Sequence, residues 1–190
     1  MDPCAHAIMG RYIWNDKTRK EHDYEVCGAF VTDTFDWGNE TAPEIPEGEM
    51  VMYKLHVRGF TMDADGRRFP GTFLALKNKI TYLKKLGVTT IELMPVYEFD
   101  ENQRHVNYWG YGKAYFFAPK ASYAAGDPVN EMKSLVRQMH LAGIEVILEM
   151  PFTEGTTFSL ILDCLRYWVM QYHVAVSYTH LRAHETDSYL

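Results

Sequence analysis

The stretch IEVILEMPF, Ile144 to Phe152, is mostly apolar and follows Gly143 directly. Its length and composition are typical of a strand that is covered on both faces, as the strands of a parallel sheet are. Apolar residues spaced by three and four positions predict a helix on each side of this strand. They are Met132, Leu135, Val136 and Met139 on the N-terminal side, and Phe158, Ile161, Leu162, Leu165, Trp168, Val169 and Tyr172 on the C-terminal side.

Two further strands are predicted upstream. VTTIELMPVYEF (Val88 to Phe99) is β-branched and mostly apolar, and MVMYKLHVRGF (Met50 to Phe60) alternates in the manner of a strand. The helix predicted between them ends at Gly87, since glycine commonly follows the last helical turn. The apolar face of that helix consists of Phe73, Leu76, Ile80, Leu83 and Leu86.

The order of these elements predicts the architecture. Asp127 and Pro128 mark the start of the helix that leads to Ile144, as N-cap and first-turn proline. The chain alternates strand and helix three times, which is typical of a parallel sheet with right-handed crossovers. A doubly wound sheet and a barrel both satisfy this order. Three strands alone do not close a barrel, which takes about 250 residues.

The two flanks lack this regularity. Residues 1–48 have no regular period and end in APEIPEGE, whose prolines predict a linker. In residues 176–190, His180 and His184, with Glu185 after them, have a spacing that metal ligands use. However, VSYTHLRAHET resembles the translated end of a transposase-type sequencing adapter. We therefore reject the metal site and predict that residues 175–190 are a non-native tail.

Composition and charge exclude several classes of protein. The 190 residues suit one domain, and the net charge of −6 with scattered basic residues argues against a nucleic-acid partner. The three cysteines form no CxxC pair, which disfavours a disulfide framework or a zinc site. No apolar run approaches the ~20 residues that span a membrane, and no signal peptide is evident. We expect a cytoplasmic protein with no metal, no cofactor and no membrane partner.

The segment NYWGYG, Asn107 to Gly112, combines three rings with two glycines. Such a cluster is either a packed fragment of the core or a platform of rings, held on a loop, that binds a flat ligand. The triplet Gly110-Tyr111-Gly112 is not a dinucleotide fingerprint, because it lies far from the end of its strand and opens no helix. A doubly wound enzyme is the least favoured alternative, because no phosphate-binding glycine loop follows any of the predicted strands.

Three motifs in this order resemble the α-amylase superfamily, glycoside hydrolase family 13. They are VMYKLHVRGFT (Val51 to Thr61), GVTTIELMPVYEF (Gly87 to Phe99) and NYWGYGKAYFFAPKASYA (Asn107 to Ala124). The closest similarity is to the isoamylase, pullulanase and glycogen-debranching branch, and it covers Asp2 to Val174. It implies an α/β fold that is part of a (β/α)8 TIM barrel, comprising about the first three βα units.

The same resemblance implies a division of the chain and a set of site residues. Residues 1–48 are a linker from a missing N-terminal β-sandwich, and residues 49–174 are the N-terminal part of the catalytic barrel. The loop after the second barrel strand carries the substrate-binding residues. Among them Tyr111 is the stacking platform, and the Asn107 amide can bond to hydroxyls. Trp109 and Tyr108 either shape the same pocket or simply plug the mouth of the barrel. Glu149, at the end of the third strand, is a further candidate for substrate binding.

The third strand departs from the pattern of the family. EMPFTE stands where D-x-x-x-N-H is usual, with Glu149, Thr153 and Glu154 in place of the Asp, Asn and His. Lys54 stands where the family often has Glu. These differences imply either altered glycan binding or reduced catalytic competence.

Several other polar residues are given structural interpretations. We expect His56 and Arg58 to make internal contacts, and Glu98 and Asp100 to belong to a solvated loop. Asp63 and Asp65 have spacing reminiscent of a calcium loop but lack the full pattern, so a turn is predicted.

The resemblance places the catalytic carboxylates downstream of Val174, so we predict no catalytic residues and no activity for this chain alone. Its parent is expected to hydrolyse α-1,6 bonds of glycogen or starch by a retaining mechanism without a cofactor. The partner is an α-glucan polysaccharide or oligosaccharide. The alternatives are a non-catalytic glycan-binding barrel and a glucan branching enzyme, which is a transglycosylase.

Overall fold

A parallel sheet forms the centre of the computed structural model, which describes residues 2, 4–16, 27–32, 34–62, 68–102 and 105–180. Its strands lie in the order β3 (Met52–Leu55), β4 (Thr90–Leu93), β7 (Glu145–Phe152) and β8 (Ala175–His180). Each neighbouring pair is parallel. The prediction of a parallel sheet that forms part of a (β/α)8 barrel is confirmed.

Helices cover one face of this sheet. They are α1 (Val57–Thr61), α2 (Phe73–Lys77), α3 (Ile80–Lys85), α4 (Pro128–Leu141) and α5 (Phe158–Tyr172). The core lies between the helices and the sheet and includes Leu76, Leu83, Ile91, Leu93, Val136, Met139, Val146, Leu148 and Trp168. None of the helices in the described ranges is both long and apolar enough to cross a membrane.

The predicted helix boundaries around α4 are confirmed. The Asp127 side chain accepts hydrogen bonds from the backbone N–H groups of Val129 and Asn130. These groups belong to the first turn, where backbone N–H groups have no partner within the helix. Gly143 follows the helix with a φ of +70°, a conformation that residues with a Cβ rarely adopt. Gly87 follows α3 in the same way with a φ of +84°.

The prediction of one strand from Met50 to Phe60 is wrong at its C-terminal end. The strand ends at Leu55 and α1 begins at Val57. His56 has extended backbone and its Nδ1 accepts a hydrogen bond from the N–H of Gly59 at 3.0 Å. Histidine is not among the usual N-cap residues, so the sequence gives no signal that a helix begins here. The alternating pattern therefore continues past the true end of the strand.

The predictions for residues 73–99 and for the loop after them also need correction. The helix predicted over residues 73–86 is divided into α2 and α3. The strand predicted over residues 88–99 is divided by Pro95, which has no N–H to donate to a ladder. Its last part, β5 (Tyr97–Phe99), pairs antiparallel with β6 (Ala114–Pro119), a strand within the predicted loop.

The prediction that residues 176–190 lack a strand is wrong for the part that is described. Residues 175–180 pair with β7, so that Ile147 lies beside Ala175. Without β8, one edge of β7 would have unpaired N–H and C=O groups. Any extended segment that follows α5 can form hydrogen bonds with these groups. His184 and Glu185 lie outside the described residues, and the non-native origin of residues 175–190 stays a prediction.

The described part of the N-terminal segment is largely irregular, as expected. Its described part contains a short antiparallel pair, β1 (Ile8–Met9) with β2 (Cys27–Gly28), and a 3-10 turn at Glu47–Glu49. This segment nevertheless packs against the rest of the fold, because Trp14 and Trp37 both contact the core.

Candidate functional site

The candidate site lies where the strands of the parallel sheet end. In a (β/α)8 barrel the loops that follow these carboxyl ends form the functional face. Three side chains of β3, β4 and β7 share one face of the sheet, because Lys54 pairs with Glu92 and Glu92 pairs with Ile147. Glu149 lies two residues beyond Ile147 and therefore on the same face, nearer the carboxyl end.

Asn107 holds the aromatic loop in its turn. Its side-chain Nδ2 donates to the carbonyl of Tyr111 at 2.9 Å, and its Oδ1 accepts from the N–H of Gly110 at 3.0 Å. Tyr97 donates its hydroxyl to the carbonyl of Gly110 at 3.2 Å. The Asn107 amide predicted to contact substrate is thus engaged with the backbone of its own loop.

Gly110 allows this loop to pack closely on the β5–β6 hairpin. Its φ is +81°, and an added Cβ would lie 2.6 Å from Cε1 of Phe99. No side chain fits at that distance, so glycine is required both for space and for backbone conformation.

The three predicted rings separate into two groups. Trp109 is 53% exposed and Tyr111 is 38% exposed, so both present ring surface to solvent. Tyr108 instead stacks on the imidazole of His56, with 4.4 Å between ring centroids and 14° between planes. Trp109 and Tyr111 can therefore receive a flat ligand, whereas Tyr108 supports the loop from behind.

An aromatic cluster backs this loop, and one of its members was not predicted. Trp14 stacks on Tyr123 at 5.6 Å and meets Tyr108 and His56 edge-on. Arg58 lies over the Trp14 ring at 5.2 Å. Trp14 belongs to the N-terminal segment, where no motif or period marks it.

His56 makes the internal contacts that were expected of it. It is buried, and its Nε2 lies 2.9 Å from the carbonyl of Tyr108 and 3.0 Å from the hydroxyl of Tyr123. Because Nδ1 accepts from Gly59, the proton of the neutral ring belongs on Nε2, where it can donate to the carbonyl. Burial lowers the pKa of His56 below its usual 6.5, which favours this neutral form.

Lys54, Glu149 and Tyr111 form a connected polar group at the carboxyl end of the sheet. Nζ of Lys54 lies 2.8 Å from Oε1 of Glu149, and the Tyr111 hydroxyl lies 3.2 Å and 3.3 Å from the two oxygens of that carboxylate. Burial alone would lower the pKa of Lys54, but the hydrogen bond and the negative charge of Glu149 outweigh burial and raise this pKa. Burial and the negative charge of Glu149 raise the pKa of Tyr111.

The prediction that Glu98 belongs to a solvated loop is wrong. Its carboxylate is buried, accepting from Nζ of Lys120 at 3.1 Å and from the N–H of Ala121 at 2.8 Å. Lys120 is also buried and contacts Glu101 at 2.9 Å. The antiparallel β5–β6 pair brings these charges together, and that pairing was not predicted. Asp100 is partly buried, and its Oδ1 accepts from the N–H of Asn102.

The remaining predicted polar residues do not join the site. Glu154 is exposed in the turn after β7, and the Thr156 hydroxyl bonds to the carbonyl of Thr153 within that turn. A cleft of about 360 Å³ lies beside the turn and is lined by Arg11, Asp100, Lys113, Ala114, Tyr115, Phe116 and Thr153. Within the described ranges, no group of three or more acidic, histidine or cysteine side chains could hold a metal ion. Asp63 and Asp65 lie outside the described residues.

Residues 32–153 match the catalytic domain of alpha amylase. Isoamylase 1 from the chloroplast of Arabidopsis thaliana is 30% identical over 92% of this chain and 30% of its own length. The glycogen operon protein GlgX homolog of Haemophilus influenzae is 30% identical over 92% of this chain and 36% of its own length. The chain therefore spans about a third of the length of these relatives.

Solved structures share the fold at lower identity. A GBS pullulanase in complex with maltotetraose has a TM-score of 0.73 and 24% identity, covering 93% of this chain and 31% of its own. Pullulanase from Paenibacillus barengoltzii in complex with maltohexaose and alpha-cyclodextrin has a TM-score of 0.63 and 22% identity. It covers 75% of this chain and 32% of its own.

Proposed function

This chain belongs to the alpha-amylase family. We propose that it is the part of a glucan-acting glycoside hydrolase that binds the sugar chain through Trp109 and Tyr111. The observation that carries this proposal is the exposure of these two rings on the face where the barrel strands end. Sugar rings have apolar faces of CH groups, and an exposed flat ring on a rigid loop complements them.

The loop is built to hold the rings still. Asn107 engages the backbone on both sides of the turn, and Gly110 packs on Phe99. The Tyr111 hydroxyl is bonded to Glu149 as well. A ring that is ordered before binding loses little conformational entropy on contact, which favours affinity.

The charges near the rings suit a neutral ligand better than an ionic one. Lys54 is paired with Glu149, and Lys120 is buried with Glu98 and Glu101. A neutral polyhydroxylated chain such as an α-glucan fits this balance. We also propose that the protein acts without a cofactor in the cytoplasm.

The finer assignment is cleavage of α-1,6 branch bonds. It is supported by relatives named isoamylase and glycogen debranching enzyme, which are 30% identical to this chain. A retaining glycosidase uses one carboxylate as nucleophile and a second as acid and base. We assign glucan binding to this chain and bond cleavage to the parent protein.

A non-catalytic glycan-binding barrel is the second candidate. The observation that favours it is the position of Glu154, which stands where the family usually has His and is exposed in a turn after β7. A histidine donor at that position is thus lost, while the aromatic loop is kept.

The test has two parts. Titration of this chain with maltohexaose, followed by tryptophan fluorescence, should give saturable binding, and its absence would remove the proposal. Long-read sequencing of the gene beyond codon 174 then supplies the complete product for an assay of linear chains released from glycogen. Release supports the hydrolase, whereas binding without release supports the second candidate.

A further inference from the structure

We propose that Lys54 and Glu149 act together as positioning residues for the Tyr111 ring. The inference rests on the proposed function only where it concerns glucan affinity. The contacts are observed independently of that function, between the side chains of Lys54 on β3, Glu149 on β7 and Tyr111 in the aromatic loop.

Tyr111 is held at both ends. Its carbonyl accepts from Nδ2 of Asn107 at 2.9 Å, and its hydroxyl reaches both oxygens of Glu149 at 3.2 Å and 3.3 Å. A ring fixed at its backbone and at its tip can rotate little about χ1 and χ2. The exposed part of the ring therefore presents one defined surface to a ligand.

Glu149 needs a counter-charge to keep this orientation. Its side chain is only 13% exposed, and Nζ of Lys54 lies 2.8 Å from Oε1. Lys54 also lies 3.9 Å from Glu92, so it stands close to two carboxylates on the same sheet face. Without the amine, these two like charges would repel, and Glu149 would turn away from Tyr111.

The Lys54 side chain is itself 44% exposed, so solvent weakens the pair as a source of stability. Lys54 acts instead by fixing the orientation of the Glu149 side chain. Oε1 of Glu149 is contacted by both Lys54 and Tyr111, and Oε2 is contacted by Tyr111. We therefore assign Glu149 to the support of the ring, and the ring to the sugar.

A measurement without glucan tests the contact directly. Tyrosine labelled with ¹³C at Cζ reports the pKa of the Tyr111 hydroxyl, which is raised in the wild type. Glu149→Gln should lower this pKa, because the negative neighbour is removed. Lys54→Met should also lower it, because Glu149 then turns away from the hydroxyl, and its effect on this pKa exceeds the opposite effect of Lys54. Unchanged values in both variants would overturn the contact.

Maltohexaose affinity tests the consequence. Glu149→Gln and Lys54→Met should each weaken binding about three- to tenfold, with Lys84→Met, an exposed lysine at the end of α3, as the matched control. In a Tyr111→Phe background the ring has no hydroxyl to hold, so Glu149→Gln should cause no further loss. Equal losses in both backgrounds would contradict the positioning role.

Charge exchange supplies a third test that a general loss of stability does not mimic. Lys54→Glu gathers three carboxylates and Glu149→Lys places two amines together, so each should weaken binding. The double exchange restores an ion pair between the two strands and should recover part of the affinity, since a carboxylate at position 54 still lies beside Glu92. No recovery in a folded double variant overturns the proposal. If the wild type binds no maltohexaose, the proposed function fails, while the pKa measurement still decides the contact.

Discussion

Oε2 of Glu40 lies 2.7 Å from Nδ1 of His173, a residue 133 positions further along the chain. The other oxygen of the same carboxylate accepts from Nδ1 of His140 on α4. Trp37 stacks on the His173 ring with 3.9 Å between centroids. One buried carboxylate thus ties the N-terminal segment to α4 and to the end of α5.

Glu40→Ala should lower the free energy of unfolding by about 3 kcal/mol, because two histidine donors lose a partner that is only 1% exposed. Urea denaturation monitored by circular dichroism measures this change. Glu47→Ala, in an exposed turn of the same segment, is the control and should have little effect. A similar stability for both variants would show that the contact contributes nothing.

The Glu40 contact should also make stability depend on pH. Burial alone would raise the pKa of Glu40, but the hydrogen bonds and charges of His140 and His173 lower it below the usual 4.5. Its contribution is therefore present above pH 4.5 and is lost as the pH falls through the lowered value. The difference in unfolding free energy between wild type and Glu40→Ala should shrink over that range.

The burial of His56 should give stability a second dependence on pH, at higher pH than that of Glu40. Burial lowers its pKa below 6.5, so the unfolded chain takes up a proton before the folded chain does. Stability should be constant above pH 6.5 with respect to this group and should fall as the pH drops toward the lowered value. His56→Asn keeps a side-chain acceptor for Gly59 and should remove this slope in melting temperatures. An unchanged slope would assign it to another group.

Trp109 and Tyr111 are predicted to dominate glucan binding. Each change to alanine should weaken maltohexaose binding about 5- to 30-fold, equivalent to about 1–2 kcal/mol of buried ring surface. Isothermal titration calorimetry measures the affinity. The control is Tyr82→Ala, which removes a ring of 51% exposure on α3. Equal losses at all three positions would mean that the loop has no special role.

The cysteines should differ sharply in reactivity. Cys4 and Cys27 are exposed, whereas Cys164 is buried and burial raises its pKa to about 12. The thiolate is the reactive form, so Cys164 should resist iodoacetamide at pH 8 until the chain is unfolded. Mass spectrometry of peptides labelled before and after denaturation checks this. Early labelling of Cys164 would show that α5 opens readily in the native state.

Local chemistry was sufficient wherever neighbouring residues determine the conformation. Asp127 and Pro128 start α4, and Gly143 ends it, because capping and positive φ depend on residues close in sequence. The motif around Asn107 likewise predicted an aromatic loop near the barrel face. Composition could not predict how its rings divide between Tyr108, which is packed inside, and Tyr111, which is partly exposed.

The alternation of strands and helices and the family to which the chain belongs could both be predicted from the residue order, since both depend on local periodicity and ordered motifs. Three features became evident only in the folded chain: Glu98 is buried against Lys120, Trp14 lies behind the aromatic loop, and Lys54 is paired with Glu149. These contacts join residues far apart in sequence, and their free energies depend on burial and distance in the folded chain. Neither quantity is present in the order of the residues alone.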